Sequence, residues 1–286
     1  MNPESSLSRL RALDRFSTPD GITISDREFE QFRDFIYHHA GITLSPAKKA
    51  LVVGRLSKRI KHHGLSSFGE YFLLISGNRT PLEAQIAIDL LTTNETYFFR
   101  EEKHFEYLRD VILKTRRRDR AFRVWSAACS SGEETYSIAM TLADQIGLQG
   151  WEIFGSDISS RVLERARSGL YAMDRAERIP PNYLKRFCLK GSGAYEGSFL
   201  IERGLRERIS FGHVNLIAPL PDLGRFDLVF LRNVMIYFDS DTKRRVVEQI
   251  LHLMQPGACL FIGHSESLMG ITQAVSMLKP SIYHRA

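Results

Sequence analysis

The stretch that most constrains the fold is FRVWSAACSSGEETYSIAMTLADQIG, Phe122 to Gly147. It opens with an apolar, β-branched run through Val124 and Trp125 and passes through small residues from Ser126 to Gly132. It then continues with Tyr136, Ile138, Ala139, Leu142 and Ala143 at helical spacing. The pattern predicts a strand, a tight turn and a helix. In an open parallel α/β sheet such a turn lies at the carboxyl end of the first strand, where ligands settle.

The residues that follow repeat the rhythm. WEIFGSD (151–157) reads as a second strand ending in an acid, and 161–167 as a short helix. ISFGHVN (209–215), FDLVFLRN (226–233), a helix over 240–254, PGACLFIGHSE (256–266) and a last strand near 281–284 carry it to the C-terminus. Near-continuous apolar strands separated by helices predict buried parallel strands covered on both faces, an α/β doubly wound domain. Between Gly169 and Arg208 the rhythm breaks. There a helical piece at 181–187 and the turn-rich CLKGSGAYEGSFLIE predict a small antiparallel β-subdomain, inserted at about 171–208.

Upstream, the signals are helical. Ser25, with Asp26 and Glu28 after it, precedes Phe29, Phe32, Ile36 and Tyr37 at helical spacing, and Gly41 supplies a C-cap. Further helices are expected from Ser45-Pro46 to His63, from Ser67 to Ile75 and from Pro81 to Leu91. The expected domains are therefore a mobile N-terminal arm (1–20), an all-helical domain (21–91) and the α/β domain with its leading segment (92–286).

A chain of 286 residues, 43% hydrophobic and 25% charged, can bury such cores. No apolar run approaches the ~20 residues of a membrane span. The N-terminus carries Glu4, Arg9, Arg11 and Asp14 instead of a signal-peptide core, so a cytoplasmic protein without membrane insertion is expected. Cys129, Cys188 and Cys259 are far apart, and no spacing of metal-ligand types appears, so neither disulfides nor a metal is expected.

The net charge of +6 is unevenly placed. Between 48 and 61 there are six Lys/Arg and no Asp or Glu. On a helical wheel Val53, Leu56 and Ile60 share one side, while Lys48, Arg55, Arg59 and His62 take the other with Lys58 beside them. This is either a solvated face or a docking surface for an acidic partner. RNA readers interleave stacking aromatics among such charges, and this helix has none, so nucleic acid is disfavoured.

The turn narrows the ligand. A dinucleotide needs glycines at three fixed places, whereas 127–133 holds only Gly132, and no Walker lysine follows. What remains is a small-residue turn with Asp157 25 residues beyond Gly132, a carboxylate placed to accept ribose hydroxyls. That suits an adenosine ligand without a diphosphate, of which S-adenosylmethionine is the commonest. Glu133 and Glu134 fall in the first helical turn, where the helix dipole favours anions, and Glu134 is also placed for a ligand's ammonium. Cys129 has no adjacent histidine base and reads as a small side chain near the ligand. The contiguous His264-Ser265-Glu266 cannot assemble as a hydrolase triad. In TTNETYFFREEKHFEYL (92–108), N-capping by Asn94 or Thr96 and core aromatics explain most residues and leave Arg100 without a role.

TTNETYFFRE, WSAACSSGEETYSIAM, SDIS followed by LERARSGLY, LRNVMIYF and a C-terminal GHSES occur together in this order. Over residues 25–286 the chain thereby resembles the CheR-type chemotaxis receptor methyltransferases. The resemblance implies a Rossmann-like S-adenosylmethionine-dependent domain that methylates the γ-carboxylate of glutamates on a chemoreceptor's cytoplasmic helical bundle, leaving S-adenosylhomocysteine. By motif it implies cofactor contacts at Asn94, Thr96, Arg100, Glu134, Asp157, Asn215, Leu216, Arg232 and Asn233, with Arg100 and Tyr237 beside the methyl group. It further implies receptor docking through Lys48, Arg55, Lys58, Arg59 and His62, and the insertion resembles the small β-subdomain that in some members pairs with a receptor C-terminal pentapeptide. A monomer is expected. The turn AACSSG lacks the glycine-rich pattern of many methyltransferases, so the cofactor assignment leans on the other motifs. The competing readings are an RNA or other protein methyltransferase and a receptor-binding adaptor that holds S-adenosylmethionine as a sensor ligand.

Overall fold

The computed structural model describes residues 21–77 and 79–285; the arm expected over 1–20 lies outside the described residues. The chain divides into two compact units, one ending at Thr93 and the other beginning at Asn94.

The first unit is helical throughout its described elements. Helix α1 (Asp26–Ala40) begins in a capping box, in which Ser25 accepts from the Glu28 amide and Glu28 bonds back to the Ser25 amide, and ends at Gly41 in the left-handed conformation. A 3-10 turn at Pro46–Lys48 leads into α2 (Lys49–His62). Then come α3 (Phe68–Ser76), capped by Ser67, and α4 (Pro81–Leu91). Helix α2 buries Val53, Leu56 and Ile60, the stripe expected from its sequence, together with Val52. Phe32 of α1 forms an edge contact with Phe68 and a stacked one with Tyr71, both on α3.

In the second unit, α5 (Glu102–Tyr107) runs on through a π-helical turn at Leu108–Ile112. Next come β1 (Phe122–Ser126), α6 (Glu133–Ile146), β2 (Trp151–Asp157) and α7 (Ser160–Ser168). Strands β3 (Leu170–Ala172), β4 (Cys188–Lys190) and β5 (Ser198–Ile201) form a separate antiparallel sheet in the order β3-β5-β4, with helix α8 (Pro181–Phe187) before β4. This is the small insert expected from the sequence. The main sheet resumes with β6 (Ile209–His213), β7 (Phe226–Leu231), α9 (Ser240–His252), β8 (Met254–Ile262), β9 (Val275–Lys279) and β10 (Ile282–Arg285).

The seven strands lie in the order β6-β2-β1-β7-β8-β10-β9. The first five are parallel, and β10 is antiparallel to both its neighbours. The sequence marked β10 as a last strand but not β9, which is mostly exposed and has no alternating burial to betray it. Period-2 alternation sends Val124, Leu228 and Phe261 to one apolar cluster, shared with Ile138, Leu142 and other α6 residues. Their neighbours Trp125, Val229 and Leu260 face the opposite cluster, where Val246, Val247 and Ile250 of α9 pack. Helices thus cover both faces, and the order reverses between β1 and β7. The crevice beyond the carboxyl ends of these two strands is where a doubly wound sheet holds its ligand.

Candidate active site

The turn after β1 is fastened to both neighbouring strands. Ala127 N donates to Phe230 O of β7 at 2.8 Å, and Cys129 N donates to Ser156 O of β2 at 2.8 Å. Gly132 closes it at φ +94°, where a Cβ would lie 2.9 Å from Ala166 Cβ, so both conformation and space require glycine. Asp157, buried at the end of β2, accepts from Ser130 N and Ser159 N, each at 2.9 Å. Val214 N donates to Asp157 O at 3.1 Å, which brings the Asn215-Leu216 pair beside this carboxylate. Asn215 Oδ1 in turn accepts from Ile217 N, and Leu216 is buried. The leading segment meets the same turn, since Ser130 Oγ donates to Asn94 O at 3.0 Å. Thr96 O accepts from Arg175, which also pairs with the buried carboxylate of Glu133.

Glu134, in the first turn of α6, accepts from Ser126 Oγ at 2.6 Å and lies 3.4 Å from Arg232 Nε. Burial pushes its carboxyl up from the usual range, against the opposing pull of Arg232 and Ser126. Arg232, first residue past β7, has a side chain only 1% exposed. Its Nη2 donates to Arg100 O, and its Nε stands 3.5 Å from Glu101 Oε2. Asn233 Nδ2 donates to Glu101 Oε1 at 3.2 Å, while its amide donates to Glu266 Oε2 at 2.9 Å. Glu266 also collects the amides of Gly263 (2.6 Å) and Ile236 (3.2 Å). The acid of GHSES therefore organises main chain, and burial nevertheless leaves its carboxyl raised.

Arg100 folds back so that Nη1 donates to Glu95 O at 3.0 Å, with its guanidinium over the Tyr97 ring. Tyr237 ends the 3-10 turn Met235–Tyr237 and packs, half-buried, against the cluster under α9. Named bonds thus link Asn94, Glu134, Asp157, Arg232, Asn233 and the Arg100 backbone; Thr96 is held through Arg175, and Tyr237 packs under α9. Cys129 is fully enclosed, and burial with Asp157 and Glu134 beside it raises its thiol, which fits a packing residue and not a nucleophile.

Among the described residues five non-glycines have positive φ, and Phe99, Glu101, Ser130 and Asn233 are four of them. All four border this crevice, a concentration of backbone strain typical of functional sites. The sequence did not single out Glu101 or Arg175, whose partners are distant in the chain. It considered Glu266 only for a triad.

Two of the five expected docking residues also hold the helical unit together. Arg55 Nη1 donates to Leu91 O and Thr92 O, each at 2.9 Å, so it caps the end of α4. Arg59 pairs with Glu83, which is buried within the same unit. A helical wheel assigns sides but cannot see that α4 covers part of the basic one. Lys48, Lys58 and His62 are exposed.

The two units correspond to two family models, "CheR methyltransferase, all-alpha domain" over residues 27–92 and "CheR methyltransferase, SAM binding domain" over 94–284. The chain belongs to the CheR methyltransferase family. Chemotaxis protein methyltransferase of Escherichia coli (strain K12) is 40% identical over 265 residues, covering 92% of each chain. Chemotaxis protein methyltransferase 2 of Pseudomonas aeruginosa is 40% identical over 262 residues, 91% of this chain and 93% of its own. This CheR-family chain is a methyltransferase whose cofactor is S-adenosylmethionine.

The residues in the crevice fit that cofactor. Its amino-acid end carries an ammonium and a carboxylate, and the crevice presents the Glu134 carboxylate beside Arg232, whose buried Nη1 has no hydrogen-bond partner among the described residues. Its ribose carries two hydroxyl donors, which suit the buried carboxylate of Asp157 at the end of β2. Among the described residues no helix is long and apolar enough to cross a membrane.

Proposed function

We propose that this chain methylates glutamate side chains on the cytoplasmic helical bundle of chemoreceptors, forming glutamyl methyl esters. The observation that carries the reading is the 40% identity to a chemotaxis protein methyltransferase along 92% of both chains, which spans both units. The chemistry of the crevice supports a carboxylate acceptor. Bound S-adenosylmethionine supplies a methyl group already activated on a sulfonium. An amine acceptor is protonated at neutral pH and must lose a proton first, whereas a glutamate is already anionic. Neither the imidazole of His104, which burial with Arg232 and His264 nearby pushes down to about 3, nor the raised thiol of Cys129 suits a base acting at neutral pH.

In this reading catalysis is positioning. Glu134 and Arg232 hold the amino-acid end of the donor, Asp157 with Asn215 and Leu216 the nucleoside end, and Asn94, Thr96 and Asn233 close around it. Arg100 and Tyr237 orient the incoming carboxylate and exclude water. Arg100 already donates to Glu95 O, which keeps it from pairing so tightly with the acceptor that nucleophilicity is lost. Lys48, Lys58 and His62 meet the acidic methylation helices of the receptor. In the small sheet β4 is an edge strand, with Leu189 53% and Tyr195 61% exposed near it, which suits strand addition by a receptor C-terminal peptide.

The deciding experiment is transfer of radiolabelled methyl to receptor-rich membranes. The expected product is labelled receptor whose label is released in mild alkali, as esters are. Alkali-stable label, or none on the receptor, overturns the reading.

A further inference from the structure

On the far side of Arg232, three side chains converge that hold neither the methyl donor nor the acceptor. They are Glu101 at the start of α5, His104 one turn later and His264 in the loop after β8, and one potential ligand atom of each lies within 4.8 Å of the others. The sequence, in which Glu101 and His264 stand 163 positions apart, carried no metal spacing.

Hydrogen bonding fixes the state of the buried histidine. The Ser281 hydroxyl has one proton, and it is committed to Pro280 O at 2.6 Å. His104 Nε2, 2.7 Å from Ser281 Oγ, must therefore donate to it. A neutral imidazole that donates through Nε2 bears a bare lone pair on Nδ1. That lone pair faces Glu101 Oε2 at 3.5 Å. Both atoms are buried and lack a hydrogen-bond partner among the described residues. Two opposed lone pairs at buried atoms repel unless something positive lies between them. Arg232 Nε approaches the same oxygen at 3.5 Å and offsets its charge in part, but it leaves Nδ1 unanswered.

We propose that Glu101 Oε2, His104 Nδ1 and His264 Nε2 form a three-ligand site for a divalent transition metal of the zinc type. With bonds near 2.0–2.1 Å, tetrahedral ligands stand ~3.3 Å apart. The Glu101–His104 separation of 3.5 Å matches, and His264 Nε2, 3.9 Å from Glu101 Oε2 on a half-exposed side chain, needs only a small rotation. The outer shell is of the usual kind for such sites. His104 Nε2 donates to a hydroxyl, and Glu101 Oε1 is held by Asn233 Nδ2 and His264 N, each at 3.2 Å. His104 and His264 both line a cavity of about 590 Å³, which leaves a fourth position for water or an anion from solvent, with Lys103 and Lys279 on the same wall. A bound ion ties the segment carrying Arg100 to the loop carrying Glu266, and so couples metal availability to the shape of the cofactor site.

The test uses the full-length chain without a histidine tag, stripped with chelator and titrated with Co²⁺ as a spectroscopic stand-in for Zn²⁺. The expected result is one Co²⁺ per chain with visible absorption of a four- or five-coordinate ion, and a Tm raised by Zn²⁺. Replacing the exposed ligand (His264→Ala) is expected to weaken binding at least tenfold and abolish the Tm shift, while His62→Ala, at a surface histidine of the other unit, changes neither. Absence of the visible bands, or binding that His264→Ala leaves intact, overturns the proposal. Because neither receptor nor cofactor is needed, this outcome is independent of the acceptor reading.

Discussion

Arg59 grips the buried carboxylate of Glu83 through two guanidinium nitrogens, and Tyr71 donates to the same carboxylate at 2.7 Å. Burial pushes the Glu83 carboxyl up, but the bonds from Arg59, Tyr71 and His63 together outweigh it and hold it at about 2, below the ordinary 4.5. A carboxyl depressed in the folded state stabilises above its unfolded value and loses that contribution as pH falls. Stability of the helical unit is therefore expected to drop between pH 4.5 and 2, by on the order of 3 kcal/mol. Denaturant melts across that range check this, and Glu83→Gln should flatten the pH dependence. At pH 7, Arg59→Ala is expected to cost ~3 kcal/mol by leaving a buried carboxylate without its partner.

Because Arg55 and Arg59 hold the unit together, reversing them tests folding and not docking. The exposed cations give the cleaner experiment. Lys58→Glu with His62→Glu is expected to lower kcat/KM toward receptor membranes roughly tenfold at low salt, about 1.4 kcal/mol, with cofactor Kd and Tm unchanged. The wild-type rate should itself fall with added salt, since exposed charges are screened over ~8 Å at physiological ionic strength. Equal loss of cofactor binding would sink the docking assignment.

Glu134 links cofactor affinity to pH. Its folded carboxyl is raised by burial, so it takes up a proton at milder acidity than an ordinary glutamate. The charged form is the one that holds an ammonium, so cofactor affinity is expected to decline as pH falls toward and below the raised value. The same shift makes the ionised residue a liability for folding, with stability decreasing as pH rises from the unfolded value through the folded one. Titration calorimetry between pH 5 and pH 8 tests the binding arm. Glu134→Gln should remove the pH dependence at a cost of ~1.5–3 kcal/mol in affinity.

Gly263 lies at the close of β8, where an added Cβ would stand 2.5 Å from Asn233 Nδ2 and 2.9 Å from Glu266 Oε2. Neither neighbour can retreat cheaply, because Glu266 holds three main-chain amides and Asn233 reaches Glu101. Gly263→Ala is expected to destabilise by ~1–3 kcal/mol and to weaken cofactor binding by a similar amount. Thermal unfolding with and without cofactor separates the two effects.

Local chemistry was legible in the sequence and long-range pairing was not. Ser25 and Glu28 cap α1 from three residues apart, and Gly132 stands where its turn needs it, so neighbours alone reveal both. The strand rhythm gave the parallel core because those strands are apolar on both faces. Strand β9 escaped because its residues face solvent without alternation. Arg59 read as a docking residue because Glu83 is 24 residues away on another helix. Glu101 went unnoticed because Asn233 and His264, which explain its place, lie 132 and 163 positions further along the chain.

Arg100 is the sharpest test of positioning. Its carbonyl is tied to Arg232 and its guanidinium to Glu95 O, and it stands between Phe99 and Glu101, both held at positive φ. A side chain so anchored can orient an incoming carboxylate, and displacement of a reacting group by ~1 Å costs on the order of a hundredfold in rate. Arg100→Ala is therefore expected to lower kcat at saturating cofactor by about a hundredfold, ~3 kcal/mol, while changing cofactor Kd much less. Arg100→Lys should recover only part of the loss, because a lysine ammonium lacks the planar fork that meets both a main-chain carbonyl and a carboxylate. Single-turnover methylation of receptor membranes is the measurement. Full activity in Arg100→Ala would remove this residue from the mechanism and leave Tyr237 and the docking geometry to orient the acceptor.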